Sequence, residues 1–150
     1  MKGLKIENDE LSCFIEDAIL TENDTFFKIN GDFVNGYKVE KAKKIENIDE
    51  NNETELYPSL KDSNNDFYAI AGETSWGGNG FVALKKIKTD SYKWVLQLSS
   101  MNNPKKITIK NNVILVRTDL NYPNGIDFII PIDNPEKFKV VKPTANKELR

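Results

Sequence analysis

From Phe67 onward the chain alternates short apolar bursts with Gly, Asn, Asp, Ser or Pro. The segments "FYAIAG" (67–72), "FVALKKI" (81–87), "YKWVLQL" (92–98), "KITIK" (106–110), "VILVRT" (113–118), "IDFIIPI" (126–132) and "FKVV" (138–141) are rich in β-branched and aromatic residues. Runs of this length and composition, bounded by turn formers, predict strands. No segment between them is long enough for a crossover helix, so the strands are expected to be antiparallel. In "YKWVLQL" alternation places Tyr92, Trp94, Leu96 and Leu98 on one face and Lys93 and Gln97 on the other, and the apolar face is expected to meet the core. "IDFIIPI" sorts Ile126, Phe128, Ile130 and Ile132 against Asp127, Ile129 and Pro131. Pro131 cannot donate to a ladder, which assigns it to an edge or a bulge. Asn111-Asn112 between two strands suits a two-residue hairpin turn.

The first half is patterned differently. Leu11, Phe14, Ile15, Ala18 and Ile19 recur at helical spacing, which predicts a short helix within residues 9–20 capped by Asp9, although "CFIEDAIL" also fits an extended strand. "TFFKING" and "DFVNGYKVEKAKKI" read as two strands, with the turn at Asn30-Gly31 and a bulge at Asn35-Gly36. Residues 46–56 are acidic and poor in apolar side chains, the composition of an exposed loop, and residues 143–150 read as a flexible tail. Two copies of Asn-Pro followed by a lysine and a strand, at Asn103 and Asn134, suggest similar strand–turn–strand units in one sheet.

The stretch "ETSWGGNGFVAL" (73–84) raises three readings: a phosphate loop, a sugar-stacking lip or a turn. A phosphate loop needs a helix behind it to aim free N–H groups at the anion, whereas "FVALKKI" is a strand candidate. A hairpin or bulged turn is therefore expected, with positive φ at Gly77, Gly78 or Gly80. Trp76 at its tip then becomes available to a partner.

Composition narrows the function. The chain has 150 residues, enough for a single domain from 1 to 150. Apolar runs are far shorter than the roughly 20 residues that span a bilayer, and the N-terminal stretch has no apolar signal core, so a cytoplasmic protein without a membrane partner is expected. One cysteine, Cys13, excludes an internal disulfide and reads as a small core residue. Histidine is absent, which removes the usual base near neutral pH and the commonest transition-metal ligand. No Ser-His-Asp or Cys-His arrangement can be drawn. A carboxylate mechanism would have to draw on Glu73, Asp90, Asp119 or Asp127, whose spacing singles out none of them. The expectation is a non-enzyme with no cofactor and no metal.

The net charge of −2 conceals a division. Residues 1–66 hold 8 lysines against 16 acids, and residues 67–150 hold 13 Lys and Arg against 7 acids. The positive excess is dispersed along strands, which argues against nucleic-acid binding. The acidic half is either solvated surface or a steering surface for a basic partner.

The hairpin "ETSWGGNGFVAL", the following "YKWVLQLSSMNNPKKITIKNNVILV" and the closing "DFIIPIDNPEKFKVV" resemble, in general style, small bacterial immunity proteins of polymorphic or contact-dependent toxin systems. The resemblance covers residues 67–141 and carries no motif residue by residue. It implies a protein that neutralises a cognate toxin by occluding its active site or an exosite. A nuclease with a basic cleft is one such partner, and the acids Glu46, Asp49, Glu50, Glu53 and Glu55 would steer it, with Tyr57 and Trp76 as anchors. The alternative is a carbohydrate-binding β module with Trp76, Tyr92 or Tyr122 as its platform. The expected architecture is mainly β, an antiparallel sandwich or barrel, or α+β if the N-terminal helix forms.

Overall fold

The computed structural model describes residues 1–42, 48–76, 79–120 and 123–142. In chain order the strands are β1 (Leu4–Glu7), β2 (Glu10–Cys13), β3 (Ala18–Thr21), β4 (Phe26–Asp32), β5 (Gly36–Ala42), β6 (Thr54–Ser63), β7 (Phe67–Thr74), β8 (Gly80–Lys86), β9 (Ser91–Leu98), β10 (Pro104–Lys110), β11 (Val113–Thr118), β12 (Ile126–Pro131) and β13 (Lys139–Val141). Short 3-10 turns occupy Glu50–Asn52 and Pro135–Lys137. All pairings are antiparallel. Nine strands form one sheet in the order β1-β2-β6-β7-β8-β9-β3-β4-β5, and β10-β11-β12-β13 form a second. The fold is mainly β, as the alternation predicts. The larger sheet does not close, so the barrel expectation falls and two stacked sheets remain.

The larger sheet is buried on both faces along its middle strands. One face, with Ile19, Val82, Leu84, Trp94, Leu96 and Leu98, packs on Ile107, Ile114, Val116, Ile126, Phe128 and Ile130 of the smaller sheet. The Trp94 indole N–H ties the two layers by donating to the Ile132 carbonyl at 2.9 Å. The opposite face gathers Leu11, Cys13, Leu20, Leu56, Ile70, Phe81, Ala83 and Val95. Here the sheet curls so that the start of β1 reaches β3: Lys2 N–H donates to Asp24 Oδ1 at 3.0 Å, and Gly3 sits against the Leu20 side chain. Cys13, 1% exposed, lies in this second core, where burial pushes its thiol up to about 12.

The N-terminal helix is absent; residues 10–13 and 18–21 are strands. Asp9 is no helix cap, because Asn8 and Asp9 both take positive φ (52° and 66°) and form the turn between Glu7 and Glu10. Asp17, also at positive φ, then redirects the chain into β3. Of the apparent helical stripe, Leu11 lies in β2, Phe14 and Ile15 in the irregular link, and Ala18 and Ile19 in β3, with Leu11 and Ile19 in the two different cores. Residues 54–56 of the expected acidic loop belong to β6, with Thr54 and Leu56 facing inward and buried. Asn30-Gly31 lies within β4 rather than at a turn. The reversal is at Phe33–Asn35, where the Asp32 carboxylate accepts the N–H groups of Val34 (2.9 Å) and Asn35 (2.7 Å), and Gly36 takes φ 92°. The Asn35 bonds hold the Asp32 carboxyl below its usual range.

A register shift between Leu84 and Lys85 turns Tyr92 away from Trp94 toward the second core, against the strict alternation expected of β9. Val95 and Gln97, on the face read as outward, are buried too. Pro131 ends β12 beyond its last residue paired to β13, where a missing N–H is not needed. Asn111, at φ 55°, makes the β10–β11 turn. The Asn103-Pro104 and Asn134-Pro135 pairs introduce the two outer strands of the smaller sheet, β10 directly and β13 after a 3-10 turn.

Candidate functional site

The hydrogen-bond register of β1, β2, β6 and β7 fixes which side chains share the outer face at this end of the larger sheet. Lys5 pairs with Ser12 and Ser12 with Glu55; Glu7 pairs with Glu10, and Tyr57 with Glu73. Directly paired residues project to the same side. Alternation along each strand therefore sets Lys5, Glu7, Glu10, Ser12, Glu55, Tyr57 and Glu73 on one surface, with Glu53 at its margin. All of these except Ser12 are exposed. Lys5 is held by two of the acids, Glu7 at 3.3 Å and Glu53 at 3.4 Å, which raise its affinity for the proton, the Glu7 bond most. A cleft of about 280 Å³ between Lys5, Glu7, Asn8, Glu10, Ser12, Glu53 and Glu55 marks the middle of this face.

Tyr57 is half exposed, and its hydroxyl donates to Glu55 Oε2. That bond holds the phenol above its ordinary range. Trp76, 61% exposed, sits at the tip of the β7–β8 hairpin. Its turn is tied back to β6, since Ser75 N–H donates to the Glu55 carbonyl (2.9 Å) and Glu55 N–H to Ser75 Oγ (3.1 Å). A second cleft, about 390 Å³, joins Trp76 to Phe14, Glu16, Asp17, Lys28, Asn51, Asn52 and Glu53. Glu53 lines both clefts and so links the tryptophan to the acidic face.

Of the residues singled out from sequence, Glu53, Glu55, Tyr57 and Trp76 are brought together. Asp49 does a local job: its carboxylate caps the 3-10 turn, accepting from Asn51 N–H at 3.0 Å and Asn52 Nδ2 at 3.3 Å. Glu50 falls in that turn. Glu46 lies outside the described residues, as do Gly77, Gly78, Tyr122 and residues 143–150. Glu7, Glu10 and Glu16 were not singled out; the signal for the first two was the polar run around a hairpin turn in "KIENDELS", where the helical reading of residues 9–20 masked Glu10. Gly80 does not take positive φ. Its missing Cβ makes room for Met101, whose carbonyl oxygen would lie 2.5 Å from an added Cβ.

The four acids considered for catalysis are dispersed. Asp127 meets Arg117, Asp119 meets Lys105 at 3.4 Å, Asp90 meets Lys85 at 2.7 Å, and Glu73 belongs to the acidic face. Among the described residues no group of three or more acids or cysteines could hold a metal ion, and no helix is long and apolar enough to cross a membrane. No protein-family model and no curated protein matches the chain.

Proposed function

We propose that the chain is a protein-binding immunity protein that neutralises a cognate bacterial toxin, using the acidic face of β1, β2, β6 and β7 to cover a basic active site or exosite. The observation that carries the reading is the placement of Glu7, Glu10, Glu53, Glu55 and Glu73 on one exposed surface with Tyr57 among them and Trp76 at its margin. A rigid sheet presents these groups without an ordering cost, and their common sign attracts a cationic surface over long range. The aromatic rings supply the apolar contact that carboxylates alone lack. A nuclease cleft, built to hold a polyanion, is the toxin chemistry this surface fits best.

The carbohydrate-binding alternative gains less support. It asks for a row of exposed aromatics, but Tyr92 lines a different cleft from Trp76, among Met1, Leu4 and Ile6, with Lys85 Nζ 5.6 Å from its ring centre. The test is co-expression with the product of the adjacent gene, followed by binding kinetics on the purified pair. A tight complex whose association slows with Glu10→Lys/Glu55→Lys supports the proposal. Absence of a complex, together with a glycan-array hit lost in Trp76→Ala, replaces it with the sugar-binding reading.

A further inference from the structure

β5 forms the edge of the larger sheet opposite the acidic face, and among the described residues no strand lies on its far side. An exposed seven-residue edge is a template for pairing unless something blunts it, and β5 contains no proline. Its free backbone groups follow from the neighbouring ladder. Across β3 and β4, Ile29 N–H donates to the Asp17 carbonyl and Thr21 N–H to the Thr25 carbonyl. Odd-numbered residues of β4 therefore point their backbone at β3, and even-numbered ones, Lys28 and Asn30, face Glu40 and Lys38 of β5. Tyr37, Val39 and Lys41 consequently turn their N–H and C=O groups to the open side.

We infer that this edge pairs with β5 of a second copy, antiparallel and centred on Val39. In that register Val39 meets its counterpart, Tyr37 meets Lys41 of the other copy, and Lys38 meets Glu40 of the other copy twice. The three outward residues form the hydrogen-bonded pairs, about six main-chain bonds in all. Lys38 and Glu40 occupy the non-hydrogen-bonded positions, where side chains stand closest and opposite charges stabilise the pairing. Both side chains are well exposed, 78% and 59%, and already pair within the strand at 3.5 Å. The strand is thus self-complementary in charge, where a lysine-only edge would repel its copy.

The gap between the two sheets is also open along β5. One cleft of about 390 Å³ includes Phe27, Lys41, Trp94 and Pro135; another of about 220 Å³ includes Phe33, Tyr37, Phe138 and Val140.

The experiment is sedimentation equilibrium of the full chain from about 1 to 200 μM, with Lys38→Glu, Glu40→Lys and the double exchange, each checked by circular dichroism. The wild type is expected to dimerise, and each single reversal to weaken dimerisation about tenfold or more, since two like-charge contacts replace two opposite ones. The double exchange is expected to restore the dimer, and an equimolar mixture of the two single variants to form heterodimers. A monomeric wild type at the highest concentration, a dimer indifferent to the single reversals, or a double exchange that stays monomeric overturns the inference.

Discussion

At the scale of single residues, Trp94 shows what alternation reveals and what it conceals. Its burial and its place on the core face follow from the pattern of "YKWVLQL". Trp94→Ala should cost about 3 to 5 kcal/mol in denaturant unfolding. Trp94→Phe keeps most of the volume but strands the Ile132 carbonyl, so a loss of about 1 to 3 kcal/mol is expected. Tyr92, two positions earlier, was illegible because a bulge reverses its side, and bulges leave no mark in hydrophobic period. Gly80 was recognisable as a special position for the wrong physical reason. Its constraint is the approach of Met101 from 21 residues away, and long-range close contacts are invisible to turn statistics.

At the scale of elements, isolated strands in the second half were readable because each is a β-branched run between turn formers. Four in the first half, β1, β2, β3 and β6, were not. β2 and β3 are four residues each, and Leu11, Ala18 and Ile19 from them, together with Phe14 and Ile15 of the irregular link between, mimic a helical stripe. The first residues of β6 fall in the stretch read as an acidic loop and the rest carries Pro58, Lys61 and Asp62, yet a bulge at Pro58 accommodates the proline while Leu56 and Leu60 still face apolar neighbours. The β1–β2 turn offers a direct check on this account. Asp9 holds φ 66°, a conformation glycine adopts without steric penalty. Asp9→Gly should raise stability by up to about 1 kcal/mol in thermal unfolding, whereas a helix capped by Asp9 would lose a few tenths of a kcal/mol.

At the scale of the molecule, the charge division visible in sequence becomes a spatial one only in part. The acids of β1, β2, β6 and β7 converge because strand order brings residues 4–13 beside residues 54–74, a pairing that no local pattern announces. If they steer a basic partner, the association rate should fall steeply between low salt and physiological ionic strength, where screening acts over about 8 to 10 Å, while dissociation changes less. Stopped-flow association at several salt concentrations measures this. Stability should also fall in alkali. Burial raises Cys13 from an ordinary value of 9.0 to about 12 and raises the phenols of Tyr37 and Tyr92. Above about pH 9 for the thiol and about pH 10 for the phenols, the unfolded chain loses these protons while the folded one retains them, so unfolding is favoured progressively toward pH 12. For Cys13 alone the slope is about 1.4 kcal/mol per pH unit, measurable as a falling denaturation midpoint.

The same thiol makes the molecule its own clock. Cys13 is the sole sulfhydryl of the chain and is shut beneath the curl of β1 and β2 over β3. No alkylating reagent can reach it until that curl lifts, so the labelling rate under native conditions counts opening events rather than chemistry. Comparing that rate with global unfolding in denaturant would tell whether the N-terminal hairpin detaches on its own or only when the two-layer core gives way. A partner seated on the outer face of the hairpin would then announce itself as a slower clock, with no substitution made in the protein.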